Sequence, residues 1–179
     1  KWMVSLLKAW WGDAATAETD FAYHYMPKRD AAKNYSHIAM FEAMYKGEID
    51  GLFVMGSNPV VGGPNANKEQ AALTKLKWMV SVDLWLNETA EFWTYRAWER
   101  PHGGSHHTET FAPKDIQTEV FFLPACAVYE KEGTAAQTGR WVQYRWKGAE
   151  PVGKSRSDLW MLNELGKKIK EKYQGSTKP

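Results

Sequence analysis

Residues 51–59 read Gly-Leu-Phe-Val-Met-Gly-Ser-Asn-Pro: an apolar run, then a glycine, two short polar side chains and a proline. This pattern is expected where a buried parallel strand reaches its carboxyl end and turns outward, the rim on which open α/β sheets bind ligands. Gly56 permits close backbone approach, while the Ser57 hydroxyl and the Asn58 amide can meet a phosphate, a ribose or a base edge. The chemistry is recognition of a nucleotide-like or phosphate-bearing ligand by a loop, rather than attack by a nucleophile. The competing reading is a plain strand-to-loop turn in which Asn58 opens a proline turn. Gly62 and Gly63 extend the same loop. Asp83, at the end of the next apolar run, stands where a carboxylate can accept hydrogen bonds from a ribose or a guanine N–H edge; it can equally cap a helix or close a local turn.

Other reactive side chains point less clearly to chemistry. His102, His106 and His107 lie near Glu109 in a glycine-rich stretch, but zinc needs several converging ligands with supporting hydrogen bonds, and a His-His pair in a loop rarely supplies them. No metal site is expected. Glu130 and Glu132 sit in a turn with no nucleophile or base around them, a poor match to a glycosidase acid/base pair. Arg140 and Lys147 could neutralise a pyrophosphate or simply be surface charges. Cys126 is the one cysteine, which excludes a disulfide framework, an iron–sulfur cluster or a cysteine-based zinc site within these residues. No catalytic residue is expected in the chain.

The elements that must position the loop follow from periodicity. Residues 1–34 form an irregular lead-in: Trp2–Trp11 suits a short apolar helix, and Asp13–Asn34 reads as a loop in which Met26-Pro27 ends any helix. Ile38, Phe41, Met44 and Tyr45 recur at spacings of three and four, with Ser36 as candidate cap and Gly47 as terminator. A strand over Leu52–Met55, a helix over Asn65–Leu76 with Ala72, Leu73 and Leu76 inward, and a strand over Trp78–Val82 complete a Rossmann-like βαβ unit. Asn87 can then cap a helix through Phe92, and Arg100–Asp115 reads as a surface excursion. Val120–Leu123 is a third strand halted by Pro124, and Arg140–Trp146 is an extended segment with one wet face. Ser157 caps a last helix whose Leu162, Leu165, Ile169 and Tyr173 keep the helical spacing. One domain over residues 1–179 is expected, its core at 36–175.

Size and composition set outer bounds. A chain of 179 residues suits one domain with one core. With 23 Lys and Arg against 21 Asp and Glu, the charge is too balanced for a nucleic-acid platform. No apolar run approaches the roughly 20 residues that span a bilayer. The start at Lys1 is read as a cut inside a longer gene product. Ten Trp residues are unusual; they either pack core and loops or cover surfaces that belong against other parts of a larger protein.

Residues 51–59 also resemble the M-G-x-N-P loop of the molybdopterin oxidoreductases, the dimethyl-sulfoxide-reductase family. Val80-Ser81-Val82-Asp83 followed by Glu88-Thr89-Ala90 is similar to that family's D-x-x-x-x-E-T-A segment. Leu123-Pro124-Ala125, Glu130 to Thr134 and Gly139 to Gln143 resemble its L-P, E-x-x-G-T and R-x-V-Q blocks. Glu150 to Gly153 with Ser157 to Trp160 resembles its entry into a helix. Within the family, Glu91-Phe92-Trp93, the polar insertion after it, and Gln117 to Phe121 look most like the large subunit of respiratory formate dehydrogenases. The resemblance implies a three-layer αβα sandwich with a mainly parallel sheet that helps hold a molybdopterin guanine dinucleotide. It further implies formate oxidation at molybdenum or tungsten in the intact enzyme, with the iron–sulfur cluster and metal ligands elsewhere. Partners would be the rest of the large subunit and an electron-transferring iron–sulfur subunit, in a bacterial periplasm, with no membrane span in this chain. Cofactor-binding candidates are Gly56, Ser57, Asn58, Gly62, Asp83, Glu119 and Gly153. Glu119 is equally an exposed strand-edge carboxylate, and Gly153 a plain glycine turn. The alternative is a stand-alone Rossmann-like nucleotide-binding or interaction domain without redox chemistry. An NAD-dependent dehydrogenase is disfavoured because no G-x-G-x-x-G opens a helix.

Overall fold

Apolar residues at helical spacing early in the chain, and short apolar runs later, build two separate units in the computed structural model. It describes residues 1–26, 28–94 and 112–175. The expectations placed on His102, His106, His107 and Glu109, and on most of the Arg100–Asp115 excursion, lie outside those residues. The units are Lys1–Ser36 and His37–Pro179. In the first, α1 (Trp2–Trp11) buries Leu7. A single helical turn at Gly12–Ala14 and a kinked pair of short turns over Asp20–Tyr25 follow, where a continuous loop was expected. Asp20, Phe21 and Ala22 take left-handed backbone (φ 51°, 54° and 58°), a rare run for residues that carry a Cβ.

The second unit begins with α2 (His37–Tyr45), whose spacing buries Phe41 and Met44 but leaves Ile38 exposed. Gly47 ends the helix as expected. At φ 74° its N–H donates to the Met44 carbonyl (2.8 Å) and the Glu48 N–H to that of Ala43 (2.9 Å), satisfying the last-turn acceptors. Strands β1 (Gly51–Met55), β2 (Trp78–Asp83) and β3 (Glu119–Pro124) form a parallel sheet in the order β1-β2-β3. The first crossover carries α3 (Pro59–Gly62) and α4 (Ala66–Leu73). Asn65 caps α4 by accepting the Lys68 N–H (3.2 Å). The helix stops at Leu73, short of the expected Leu76, and the Thr118 hydroxyl reaches the carbonyls of Leu73 and Leu76, both at 2.9 Å. The end of α4 is thereby tied to the start of β3. After β2, Asn87 does cap, accepting the Ala90 N–H (3.0 Å), but residues 88–93 form turns instead of the expected helix.

Alternation along the strands explains where the core lies. Leu52, Val54, Met79 and Val120 point to one face, where they pack with Phe41, Leu73 and Phe92. Phe53, Trp78, Phe121 and Leu123 point to the other and remain 36–46% exposed. The α/β class and the parallel sheet are as expected; among the described residues, the sheet and one helical layer are present.

Beyond β3 the chain forms an antiparallel hairpin, β4 (Gly133–Gln137) with β5 (Trp141–Arg145). Its three-residue turn ends in Arg140 at φ 65°, the left-handed position such loops require. The expected wet face of β5 is only half the finding, since all its residues are exposed. Helix α5 (Asp158–Tyr173) opens as expected, with the Trp160 N–H donating to Ser157 Oγ (3.2 Å). Its Leu162, Leu165, Ile169 and Tyr173 are exposed.

Candidate functional site

Strand β1 delivers Gly56 to the carboxyl rim of the sheet. The Gly56 N–H donates to the Val82 carbonyl (2.9 Å), so the β1–β2 ladder runs one residue past the strand before the chain turns. Gly56 takes φ 58°, a conformation that suits glycine and strains other residues. Ser57 is exposed, and Pro59 opens α3 at a position where its missing N–H costs nothing. The bend borders a cleft of about 560 Å³, lined by His37, Gly56, Ser57, Asn58, Gly62 and Gly63 together with Pro59, Val61 and Pro64.

Asn58 holds the bend in place. Its Oδ1 accepts the Thr89 N–H (3.2 Å) and the Thr89 hydroxyl (2.8 Å), and its Nδ2 donates to Glu88 Oε2 (2.7 Å). The fully buried Thr89 oxygen in turn accepts the Val60 N–H (3.1 Å). The Asn58 amide is therefore spent on the turn after β2, which leaves the Ser57 hydroxyl and the glycine backbone as polar groups lining the cleft. Thr89 was missed as a site residue, although the Glu88-Thr89-Ala90 string was itself a signal.

The other candidates separate by position. Asp83 ends β2 on the same rim, but its two carboxylate oxygens accept the Leu84 N–H (2.7 Å) and Asn87 Nδ2 (2.8 Å), holding the local turn. Gly153 takes φ 59° in the loop that returns to the carboxyl end of β3, where the Cys126 N–H donates to the Arg156 carbonyl (2.9 Å). It does not line the cleft. Glu119 starts β3 opposite Trp78, exposed on the amino-terminal rim, and the structure does not bring it to the bend. Arg140 occupies the hairpin turn, and Lys147 pairs with Glu150 (2.6 Å), an ion pair that raises the lysine above its ordinary range. Glu130 is buried and accepts the Ala127 N–H (2.8 Å), so it caps a turn. Among the described residues no group of three or more His, Cys, Asp or Glu is placed to hold a metal ion.

His37 lines the cleft, and a buried carboxylate stands behind it; no sequence signal marked either residue. Glu69, in the middle of α4, is 3% exposed, and its Oε1 lies 3.2 Å from His37 Nε2. The absence of a side chain at Gly63 makes room for that carboxylate, since a Cβ there would fall 1.7 Å from Glu69 Oε2. Next to it Lys68 pairs with Glu42, and this hydrogen bond holds the Glu42 carboxyl below the usual range.

Comparison with known proteins supplies the lineage. A model of the molybdopterin oxidoreductase family matches residues 106–168, the stretch that includes β3, the hairpin and most of α5. Formate dehydrogenase subunit alpha of Megalodesulfovibrio gigas is 40% identical over 171 residues, which is 96% of this chain and 15% of the relative. The chain belongs to the molybdopterin oxidoreductase family. The nitrate-inducible formate dehydrogenase major subunit of Escherichia coli (strain K12) is 39% identical over 174 residues, covering 97% of the chain and 16% of the relative. The assimilatory nitrate reductase catalytic subunit of Bacillus subtilis (strain 168) is 45% identical over 133 residues, covering 74% of the chain and 15% of the relative. The chain thus spans about 15–16% of the length of these relatives. All three are named as bacterial oxidoreductases or their subunits. Among the described residues no helix is long and apolar enough to cross a membrane.

Proposed function

We propose that this chain is the cofactor-holding part of a formate dehydrogenase large subunit, and that its cleft takes a phosphate or ribose of a molybdopterin guanine dinucleotide. The observation that carries this reading is the Gly56-Ser57-Asn58 bend at the carboxyl rim of a parallel sheet, open to a cleft of about 560 Å³. The residues fit such a group. A Cβ built on Gly56 or Gly62 would meet nothing within 4 Å, so the loop backbone at both glycines faces open space. Formate is favoured over nitrate because the formate dehydrogenases align over 96–97% of the chain and the nitrate reductase over 74%.

When bound, the pterin and its molybdenum or tungsten supply two-electron redox chemistry, which this chain's residues do not. Ser57 donates a hydroxyl to phosphate or ribose, and Gly56 and Gly62 let the ligand reach the main chain. Asn58 keeps the bend rigid through Glu88 and Thr89, while Asp83 and Gly153 border the same rim. The fold orients and the cofactor reacts. The remaining parts of the large subunit, an iron–sulfur electron-transfer subunit and a periplasmic setting complete the proposal.

The test is titration of the 179-residue chain with guanosine monophosphate, followed by backbone amide NMR. Saturable shifts are expected at Gly56, Ser57 and Gly62, reduced by Ser57→Glu, which brings a like charge to the phosphate. Unmoved amides at millimolar nucleotide would overturn the assignment of the bend.

A further inference from the structure

We infer that His37 is the phosphate-facing side chain of this cleft, oriented from behind by the buried carboxylate of Glu69. The inference rests on the reading of the cleft as a nucleotide site and adds the group that recognises charge there.

His37 opens α2 and lines the cleft together with Gly56, Ser57 and Gly62. Its side chain is 43% exposed, whereas that of Glu69 is 4% exposed, so one ring bridges a buried carboxylate and an open space. Nε2 lies 3.2 Å from Glu69 Oε1, and the Phe41 ring one helical turn on packs against the imidazole at 4.6 Å between centroids. Two contacts therefore set the orientation of the ring. A hydrogen bond from Nε2 to the carboxylate leaves Nδ1 for a ligand, and in the protonated ring Nδ1 is a donor.

Glu69 supplies the second, independent observation. Its Oε2 is buried and without a hydrogen-bond partner among the described residues. A carboxylate in that condition is costly unless a positive group comes to it. Lys68, its neighbour on α4, is engaged by Glu42, and His37 is the side chain in contact with the carboxylate. The carboxylate itself cannot easily serve the ligand, because Gly63 sits close over it. The pair thus works in one direction: Glu69 holds and polarises, and His37 presents an N–H to an anion. A buried carboxylate behind a histidine is the same arrangement by which ligating imidazoles are oriented in metal sites. Here only two donors converge, too few for a metal ion and suited to a phosphate oxygen.

The experiment labels the histidine rings of the 179-residue chain with nitrogen-15 and assigns His37 by its loss in His37→Gln. Inorganic pyrophosphate and guanosine monophosphate are titrated separately, with the Gly56 and Gly62 amides read in parallel. The expected result is that pyrophosphate shifts Nδ1 of His37. His37→Gln should weaken binding about fivefold to tenfold, as expected for loss of a charge-assisted hydrogen bond to the anion. The isosteric Glu69→Gln, whose core amides report that the fold persists, should weaken it about threefold by the same logic. If the amides move but the His37 ring does not, or if His37→Gln binds as well as the parent, the inference is overturned while the nucleotide reading stands. If no amide moves either, both fall. Movement with guanosine monophosphate but not with pyrophosphate shows recognition of the nucleoside and also overturns the phosphate role of His37.

Discussion

At the level of single residues, the most consequential side chain is one whose polarity suggested ligand contact but whose hydrogen bonds go to protein. Asn58 joins two loops through contacts to Thr89 and Glu88. Asn58→Ala should therefore cost stability as well as any ligand affinity, about 1–3 kcal/mol, because it strands the buried Thr89 groups without their partner. Urea denaturation of the variant checks this; an unchanged midpoint would show that the loops are held by other means. The placement of Gly56 and Ser57 was legible from the sequence, since a glycine and a short polar residue after an apolar run mark the end of a strand. The part played by Asn58 was not, because an amide gives no hint in sequence of which neighbour will take its bonds. Asp83 differs: its place on the rim and a local-turn role were both readings of the sequence, and its hydrogen bonds to Leu84 and Asn87 hold that turn.

At the level of elements, the strands β1, β2 and β3 and the helices α2 and α5 could be read from periodicity and caps. Failures came where periodicity was weak or tertiary contacts intervened. Strand β4, Gly-Thr-Ala-Ala-Gln, has no alternation and is extended because β5 pairs with it. Helix α4 ends at Leu73, where the hydroxyl of Thr118, far along the chain, reaches the Leu73 carbonyl, a contact no local pattern announces. The packing of α4 beneath the cleft loop leads to a prediction. Gly63→Ala would place a methyl group on the buried Glu69 carboxylate and should destabilise the unit by about 1–3 kcal/mol, the usual cost of overpacking. Pairing the change with Glu69→Ala should recover part of that loss, and thermal melts of the single and double variants measure the recovery. Purely additive losses would mean that the loop moves aside without cost.

At the level of the whole molecule, charge is nearly balanced and stability should depend on pH through particular pairs. The Glu42 carboxyl is lowered chiefly by its hydrogen bond from Lys68. A carboxylate whose folded value lies below its unfolded one binds fewer protons when folded, so the gain is present above the unfolded value and is lost as pH falls through the lowered one. Glu42→Gln should accordingly be less stable than the parent at neutral pH and should approach it in acid; denaturation midpoints across that range test the convergence. The sequence could not announce this pair, whose members stand on different helices. The order β1-β2-β3 has one more consequence. Among the described residues β1 and β3 each have a single partner strand, so each presents an unmatched row of main-chain donors and acceptors. Such borders are templates on which a sheet can widen. In a longer polypeptide they are places for additional strands to join, and in the chain alone they invite copies to zip together, so dilute, cold handling should yield more monomer than concentration does.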